Sequence, residues 1–371
     1  MTTTLIGPVY PYRGGIPYCT TRLAEELRRK GSLSIISFSR QYPQRFYPGG
    51  SDLDVSLRGR EPEGTRFLLD IVNPLTWIAT ALRIRREAPD SVIFVWWIWV
   101  WALPYLTILA LLPRKTRVVL QSHNISDKEP SWWKSVLTNA VLWRGDVIVV
   151  HADSERDEAE RRLGGTRIIS TYLPVHEVGG AIPSRHDAKS HLEVHGRNVA
   201  LFFGHIRPYK GLDIAIRAWE RLETDVLLLV AGQAWWKGEE EYRALARNAR
   251  NIRFNFRFIP DDEIAMWFAA ADVVIAPYRT EAQSGVAMTS FYFHRPIIAA
   301  AVGGIPEVVR DGVNGYLIAP EDPAALALAV DRFFTEADRA AMELACAESA
   351  RRNSWSDYAA LIHIECTSPS T

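Results

Sequence analysis

Cysteine is scarce in this chain of 371 residues, which contains only Cys19, Cys346 and Cys366, in no paired spacing. This usage excludes a disulfide-stapled secreted scaffold and is typical of a reducing compartment, so we expect three buried structural thiols. The amino terminus has no basic segment followed by a long apolar run, and we therefore expect no secretory signal peptide. These absences predict a cytoplasmic protein.

Net charge is also absent, because 43 Lys and Arg balance 43 Asp and Glu. The balance argues against general nucleic-acid binding, which depends on a basic surface. The charge is unevenly distributed, since residues 1–172 contain 23 basic and 17 acidic residues. The resulting excess of positive charge favours an anionic substrate or an anionic membrane surface for the first half.

Signatures of several enzyme classes are missing as well. No G-x-G-x-x-G follows an initial strand, which argues against a dinucleotide-dependent dehydrogenase, and there is no Walker loop. His176-Glu177 is not followed by the second histidine of a zinc-protease motif. Apart from one strand–loop–helix pattern that occurs in both halves, neither internal repeats nor a low-complexity segment are visible, and the length fits two ordinary globular domains.

A strand, a glycine-bearing loop and a helix occur in that order at the start of each half. In the first half, Leu5-Ile6 lie in the strand, Gly14-Gly15 in the loop, and Gly31 just past the helix. The same order recurs in VALFFGHIRPYKGLDIAIRAWERL, residues 199–222. Residues 174–198 between the halves are polar and contain glycine, proline and histidine, which is typical of a linker.

Most strand candidates are continuous apolar runs, which are typical of strands buried on both faces of a parallel sheet. They are Leu33–Phe38, Val92–Ile98, Arg117–Gln121 and Val147–Val150, then Val226–Val230, Ile252–Phe254, Val273–Ala276 and Pro296–Ala299. Helical patterns lie between them, so the alternation predicts an α/β protein with two doubly wound domains facing across a cleft. The predicted domains are residues 1–173 and 199–345, with a linker at 174–198 and a helix or tail at 346–371.

The uncharged stretch Val92–Pro113 is about as long as a bilayer-spanning helix. Such a helix would place Pro104 near mid-span and would remove a strand from the first sheet. We favour a central strand at Val92–Ile98, followed by a helix that starts near Ala102. Tryptophan is frequent in this stretch, and Trp96 with one or two others is expected in the core. The rest, such as Trp99 and Trp101, are expected at an acceptor face or a membrane interface.

Two loops of the second half have the features of phosphate sites. Arg207 and Lys210 lie in GHIRPYKGLD, where a predicted strand ends and a helix begins, and cations beside a helix N-terminus bind phosphate. A second stretch places Glu281 and then Gln283-Ser284-Gly285-Val286 between a strand and a helix, and Gly303-Gly304 follow the next strand. Two such loops are what a diphosphate requires, although a solvated turn is the alternative for the first loop taken alone.

The order of FFGHIRPYKGLD, IAPYRTEAQSGVAM and RPIIAAAVGGIPEVVRDGVNGYLI resembles the donor-binding half of retaining nucleotide-sugar glycosyltransferases of glycosyltransferase family 4. The first half is similar more loosely, through Gly14-Gly15, a strand ending in His123-Asn124, and VIVVHADSE at residues 147–155. The resemblance extends over nearly the whole chain. It implies the GT-B fold, which consists of two Rossmann-like α/β domains with a cleft between them.

The resemblance implies roles for residues of the second half. Lys210, with Arg207 in the same loop, would neutralise the donor diphosphate as it leaves, and Glu281 would lie near the donor sugar. Ser284, Gly285 and Val286 would offer backbone amides. The predicted donor-binding positions of this half are Gly204, Ser284, Gly285, Val286 and Thr289. Glycosyl transfer from a nucleoside diphosphate needs charge stabilisation on the leaving phosphates more than a strong base, which agrees with these assignments.

In the first half, the resemblance implies that His123 contacts the donor sugar from the opposite domain, and that Gly14 and Gly15 let their loop approach the diphosphate and the acceptor. Two positions depart from the family pattern. Thr289 stands where the family often has a second glutamate that holds the ribose hydroxyls. His205 stands where it commonly has arginine. The first departure weakens the ribose clamp, and the second leaves the number of phosphate charges open.

We therefore expect a retaining glycosyltransferase that moves a sugar from a nucleoside-diphosphate sugar to a glycan or lipid-linked acceptor, in polysaccharide or glycolipid synthesis. Neither a metal nor another cofactor is expected, and Asp52-Leu53-Asp54 imitates the metal-binding aspartates of the other glycosyltransferase fold by coincidence. The protein would be cytoplasmic, with peripheral association at the inner face of the membrane. Two alternatives stay open: a nucleotide-sugar epimerase on the same fold, which would need further acid–base residues, and a catalytically silent homologue that acts as a binding subunit.

Overall fold

Two compact units make up the structure, a computed structural model that describes residues 2–42, 51–125, 131–178, 181–234 and 238–368. The first unit consists of Met1–Pro174 with Ser354–Thr371, and the second of Val175–Asn353. Each contains one parallel sheet with helices between its strands, as the α/β interpretation predicts.

The first unit has a seven-stranded sheet. Its strands are β1 (Thr2–Ile6), β2 (Ser32–Arg40), β3 (Thr65–Asp70), β4 (Ser91–Trp96), β5 (Arg117–Ser122), β6 (Val147–Val150) and β7 (Arg167–Ser170), in the order β3-β2-β1-β4-β5-β6-β7. Its helices are α1 (Gly15–Arg28), α2 (Pro74–Glu87), α3 (Ala102–Leu111), α4 (Trp132–Leu142), α5 (Asp153–Leu163) and the last helix of the chain, α14 (Trp355–Thr367). Crossovers between parallel strands are right-handed, which places α1 on one face and α2 to α5 on the other.

The second unit has a six-stranded sheet. Its strands are β8 (Asn198–Phe203), β9 (Val226–Ala231), β10 (Ile252–Asn255), β11 (Val273–Ala276), β12 (Ile297–Ala300) and β13 (Gly315–Ile318), in the order β10-β9-β8-β11-β12-β13. Its helices are α6 (Arg185–His191), α7 (Leu212–Trp219), α8 (Gly238–Leu245), α9 (Asp261–Ala270), α10 (Gly285–Tyr292), α11 (Ile305–Val308), α12 (Pro323–Thr335) and α13 (Arg339–Arg352). Both sheets are doubly wound, because the strand order reverses between β1 and β4 and between β8 and β11.

The eight strand candidates of the sequence all form, each within two residues of its predicted ends. Every residue of β4, β5, β6, β9, β11 and β12 is buried, as expected for central strands covered on both faces. Three strands were not predicted, namely β3, β7 and β13, and all three lie at the edges of the sheets.

The stretch Val92–Pro113 is a core element of the first unit. It completes β4, makes a 3₁₀ turn at Trp99–Trp101 and continues as α3, which confirms the predicted strand and helix. The expectation that Trp101 lines an interface is wrong, because its ring is fully buried and packs 4.1 Å from that of Phe38. Across the described residues, no helix has both the length and the apolar character that a bilayer crossing requires.

The units differ from the predicted domains at two helices. α14 belongs to the first unit, since it packs against α1, β4 and β5 and buries Trp355 and Tyr358. The predicted tail, residues 346–371, therefore divides between the units. α6 lies inside the predicted linker, residues 174–198, but packs on α9 through Ala188. A local pattern shows that a helix forms, but not which sheet it covers.

All three cysteines are buried free thiols, as predicted. Burial raises the pKa of Cys19 and of Cys346 to about 12, and that of Cys366 to about 11. The thiols are therefore protonated at neutral pH and poor nucleophiles, which agrees with a structural role.

Candidate active site

Three loops of the second unit meet where the strand order of its sheet reverses. The loop after β8 carries Lys210, the loop after β11 carries Glu281, and β8 pairs directly with β11. The loop after β12 joins them, since the Gly304 N–H donates to the Ala282 carbonyl at 2.9 Å. Open α/β sheets bind ligands at this point, because loops on either side of the reversal turn away from each other and leave a crevice.

Lys210 and Glu281 form a buried ion pair. Lys210 Nζ lies 2.6 Å from Glu281 Oε2, and the two side chains are only 12% and 7% exposed. Because little water reaches either group, their attraction is weakly screened. Lys210 Nζ also lies 3.8 Å from the centroid of the Tyr278 ring, which is a cation–π contact. Tyr278 was not predicted as a site residue, although it follows β11 in the same loop as Glu281.

The surroundings keep Lys210 protonated. Burial alone would lower the pKa of its ammonium group, but the neighbouring oxygens of Tyr278, Glu281 and Tyr209 outweigh burial and raise that pKa above its ordinary value. Burial also raises the pKa of Tyr278, so its phenol is neutral at pH 7 and Glu281 supplies the negative charge. Lys210 is therefore a permanent positive charge, which suits stabilisation of an anionic leaving group better than proton transfer.

Arg279 holds the Lys210 loop in place, and it too was missed by the sequence analysis. Its guanidinium binds both carboxylate oxygens of Asp213, at 2.9 and 2.7 Å, and donates to the Pro208 carbonyl at 2.6 Å. Its backbone N–H donates to the Tyr209 carbonyl at 2.8 Å. A bidentate contact fixes orientation as well as distance, so Arg279 defines where Lys210 is presented. The sequence feature that could have identified Arg279 is its position three residues after β11 and two residues before Glu281.

Two glycines allow the loops to approach this closely. Gly303 has a φ of 51°, and a Cβ built there would lie 1.6 Å from the Glu281 carbonyl oxygen. Gly211 has a φ of 72°, and its Cβ would lie 2.1 Å from the Pro277 carbonyl oxygen. Any other residue at either position would separate the backbones. The helix after Gly303-Gly304, α11, has only four residues, so this expected anion-binding helix end is a single turn.

The start of α10 brings several predicted donor-binding positions together. Ser284 caps the helix, because its Oγ accepts from the Ala287 N–H at 3.2 Å. Gly285 and Val286 form the first turn, where N–H groups have no acceptor within the helix. Val286 Cγ2 lies 3.7 Å from the point where a Cβ on Gly204 would stand, so the β8 loop and α10 are neighbours. The first turn of α10 therefore lies beside the loop that carries Lys210.

The backbone amide of Ser284 is already engaged. It donates to Gln283 Oε1 at 3.2 Å, so a phosphate could accept from this amide only after the Gln283 side chain moves. Thr289 is buried, and its hydroxyl donates to the Gly285 carbonyl at 2.8 Å. The hydroxyl of Thr289 therefore serves α10 itself. Arg207 lies in extended backbone directly before the turn Pro208–Lys210 and is partly exposed.

In the first unit, His123 lies beside His151. The two residues follow the adjacent strands β5 and β6, and their ring centroids are 4.9 Å apart. Burial, and then the neighbouring His151, lowers the pKa of His123 well below its ordinary value, and burial lowers the pKa of His151 to about 4. Among the described residues, the buried Nε2 of His123 has no hydrogen-bond partner. Both rings are uncharged at neutral pH, which suits hydrogen bonding to a sugar hydroxyl.

The Gly14-Gly15 loop leaves open space at the start of α1. Gly14 has a φ of 103°, and a Cβ at either glycine would meet no heavy atom within 4 Å. The Arg13 N–H donates to the Asp52 carbonyl at 2.9 Å, which places the Asp52-Leu53-Asp54 segment beside this loop. Asp54 Oδ1 accepts from the Ser56 N–H at 2.9 Å and thus caps a turn. Contact of this unit with a donor, and the cleft itself, stay predictions.

Residues 197–336, which contain the whole site of the second unit, match the family model described as Glycosyl transferases group 1. The D-inositol 3-phosphate glycosyltransferase of Xylanimonas cellulosilytica is 36% identical over 166 residues, which cover 43% of this chain and 40% of the relative. The protein of the same name from Mycobacterium marinum is 31% identical over 236 residues, which cover 60% of this chain and 50% of the relative. The chain thus spans half or less of the length of these curated relatives.

Solved structures are similar over the whole chain. The Anabaena protein Alr3699/HepE in complex with UDP matches with a TM-score of 0.77 at 16% identity, covering 98% of both chains. Its complex with UDP-glucose matches with a TM-score of 0.76 at 17% identity, covering 97% of this chain and 99% of the other. At such low identity the likeness shows the fold alone. That fold is the predicted one, two Rossmann-like α/β units of the GT-B class.

Proposed function

We propose that this chain, whose second unit carries a group 1 glycosyltransferase segment, is a retaining glycosyltransferase that uses a nucleoside-diphosphate sugar. The observation that carries the proposal is the Lys210–Glu281 ion pair at the reversal point of the second sheet. It sets a permanent cation and a carboxylate at the edge where this type of sheet binds nucleotides. The names of the curated relatives support glycosyl transfer, and the UDP and UDP-glucose complexes of Alr3699/HepE support a nucleotide-sugar donor.

The chemistry assigned to the pair follows from charge. When the bond between the sugar and the diphosphate breaks, negative charge accumulates on the leaving phosphates, and Lys210 stabilises it. Glu281, held 2.6 Å away, orients the ammonium group and accepts hydrogen bonds from the donor sugar. Attack on the same face, with the departing phosphate helping to remove the acceptor proton, would retain the anomeric configuration. An epimerase would instead need a titrating acid–base group, and the fixed charge of Lys210 favours transfer over epimerisation.

We propose that no divalent cation takes part, because Lys210, Arg207 and the first-turn amides of α10 supply the charge that a diphosphate needs. Turnover should then stay within about twofold of its normal rate in excess chelator. Complete loss that added Mg²⁺ or Mn²⁺ restores would contradict this part of the proposal.

The proposed acceptor is a glycan or a lipid-linked glycan, used in polysaccharide or glycolipid synthesis at the cytoplasmic face of a membrane. The positive charge of residues 1–172 supports an acceptor or surface that is anionic. Since the curated relatives are named for D-inositol 3-phosphate, this phosphorylated polyol belongs in any acceptor screen.

A donor-binding panel followed by a transfer assay tests the function. The correct nucleotide sugar, at about 100 times its Kd, should raise the Tm by roughly 5–10 °C. With that donor and a panel of acceptors, NMR of the product should show a retained anomeric configuration. Lys210→Met should lower kcat/KM about 100-fold or more, whereas the control Lys30→Met, an exposed lysine just after α1, should not change it.

Two outcomes would favour the alternatives. Donor binding with neither transfer nor hydrolysis, over a broad acceptor panel, would favour a silent binding subunit. Conversion of one nucleotide sugar into another without transfer would favour an epimerase.

A further inference from the structure

An exposed apolar face covers one side of the first unit. Nine of the sixteen large apolar side chains that are exposed among the described residues lie in or beside α2, α3 and α4. These helices are consecutive neighbours, since α2 packs on α3 and α3 packs on α4. Single exposed apolar residues are ordinary, but their concentration on adjacent helices marks an interaction surface.

On α2, the exposed residues form a stripe of their own. Leu75, Ile78 and Leu82 follow helical spacing, and Leu75 is 73% exposed. A helix of a globular protein normally turns such a stripe inward. α2 buries a different side, through Ala81 and Ile84, and leaves the leucine stripe outside.

On α4, tryptophan dominates the outer side. Trp132 is 80% exposed, and Val136, one turn later, is 57% exposed. Trp143, just beyond the end of α4, is also 57% exposed. Indole has an apolar ring and one N–H donor, so it is favoured where an apolar phase meets a polar one. The side chains of these two stripes, together with Leu103 of α3, are called the apolar face below.

The same helices carry an excess of positive charge. Together with the four residues after each helix (residues 74–91, 102–115 and 132–146), they contain three acids, Glu87, Asp90 and Asp146, and seven basic residues, Arg83, Arg85, Arg86, Arg114, Lys115, Lys134 and Arg144. Glu87 is already paired with Arg83 and Arg66. All three helices return to the amino edge of one parallel sheet, so their C-terminal ends lie at the same edge. Every cation of the seven except Lys134 lies in the C-terminal half of a helix or just after it, which forms a basic rim beside the apolar face.

We propose that the apolar face and its basic rim dock the protein on the surface of an anionic lipid bilayer. The tryptophan and leucine side chains would enter the boundary between headgroups and acyl chains, and the rim would bind lipid phosphates. Charge complementarity points to this occupant, because an anionic lipid surface matches a predominantly positive rim, whatever the exact positions of its basic residues. The inference rests on the proposed function only for the reason why the protein would act at a membrane. The docking surface itself is inferred from the exposure and the charge of its side chains.

Vesicle flotation of the full chain tests the proposal. The protein should bind vesicles of phosphatidylcholine with phosphatidylglycerol at low salt, and binding should weaken in high salt and on pure phosphatidylcholine. Trp132→Ala/Trp143→Ala should weaken binding to the anionic vesicles about tenfold or more. Leu75→Asp should act similarly, whereas Leu344→Asp, on α13 and equally exposed at 72%, should have no effect.

A second pair of variants tests the rim. Arg85→Gln/Lys115→Gln should weaken binding about tenfold or more, because each charge at an anionic surface contributes separately. Arg247→Gln/Arg250→Gln removes two exposed charges from the second unit and should leave binding unchanged. Since all these positions are exposed, unchanged melting temperatures should show that the variants fold.

Several results would overturn the docking surface. They are absence of binding at low salt, equal binding by the face variants and the wild type, or loss of binding in the control variants. Self-association without vesicles, abolished by Trp132→Ala/Trp143→Ala, would instead assign the face to a second copy of the chain. Transfer to a water-soluble acceptor, measured in the same samples, separates the two proposals. Normal transfer without vesicle binding refutes only the docking surface, and vesicle binding without transfer refutes only the proposed function.

Discussion

Replacing Lys210 by methionine removes one partner of a buried ion pair, so it should affect folding as well as catalysis. Glu281, 7% exposed, would keep its charge but lose the counter-charge 2.6 Å away. Breaking a buried pair in this way costs about 3–5 kcal/mol. The cation–π contact with Tyr278, at 3.8 Å, adds about 0.5–2 kcal/mol to the loss. The free energy of unfolding of the second unit should therefore fall by at least about 3 kcal/mol.

The double variant Lys210→Met/Glu281→Gln removes the stranded carboxylate too. Exchanging a buried pair for neutral groups of similar volume is often nearly neutral, so the double variant should be more stable than Lys210→Met by about 2 kcal/mol or more. Its kcat/KM should nevertheless stay about 100-fold or more below that of the wild type, because the diphosphate then lacks the buried cation that Lys210 supplies. Stability would return without activity, which separates the structural role of the pair from the catalytic role of Lys210.

Urea denaturation of the wild type, Lys210→Met, Glu281→Gln and the double variant gives the coupling energy between Lys210 and Glu281. Initial rates at varied donor concentration with a saturating acceptor give kcat/KM. Lys30→Met serves as the control for both measurements. Additive destabilisation by the two single changes would show that the pair does not act as a unit. Lys210→Met with more than about half of the wild-type kcat/KM would refute the assigned role.

Three further changes test other parts of the site. Gly303→Ala should destabilise the second unit by about 2 kcal/mol or more and weaken donor binding measured by calorimetry, because the new Cβ would lie 1.6 Å from the Glu281 carbonyl oxygen. Unchanged binding and stability would contradict this close approach of the two loops. Arg279→Met should lower kcat/KM about tenfold or more, and Arg279→Lys should not restore it, because lysine cannot bind the carboxylate of Asp213 in bidentate fashion; full rescue by lysine would refute this positioning role. His151→Phe should flatten the dependence of stability on pH. Since burial lowers the pKa of His151 from 6.5 to about 4, its contribution is fully present above pH 6.5 and is lost as the pH falls towards 4, by about 3 kcal/mol in total; equal losses in both proteins between about pH 7 and about pH 4.5 would contradict this.

Central strands could be predicted because a strand that is buried on both faces requires a continuous run of apolar residues, which is visible in the sequence. β6 and β9 consist wholly of apolar residues and are buried throughout. The edge strands β3 and β7 are partly exposed along their length, so polar residues are tolerated and no continuous apolar run identifies them. Prediction therefore failed where the structure itself relaxes the requirement for apolar residues.

The loops of the candidate site could also be predicted, from glycine and charge at strand ends and from the resemblance. The partners within it could not. Lys210 and Glu281 are 71 residues apart, and Arg279 is 66 residues from Asp213. Only the pairing of β8 with β11 brings these segments together. The pairing of β5 with β6 likewise brings His151 beside His123, and nothing in the sequence indicated this contact.

The sequence by itself determined the α/β class, the two doubly wound sheets and the position of the loops that carry charge, because periodicity and short motifs act over a few residues. Only the tertiary structure decided that α14 covers the first sheet, and that Trp101 is fully buried while Trp132 is 80% exposed. Trp101 lies in an apolar stretch that also contains Trp99, and Trp99 is only partly buried, whereas Trp132 follows a charged segment. Which of them is covered depends on the side of each segment that meets the sheet, and that is set by contacts between residues far apart in sequence.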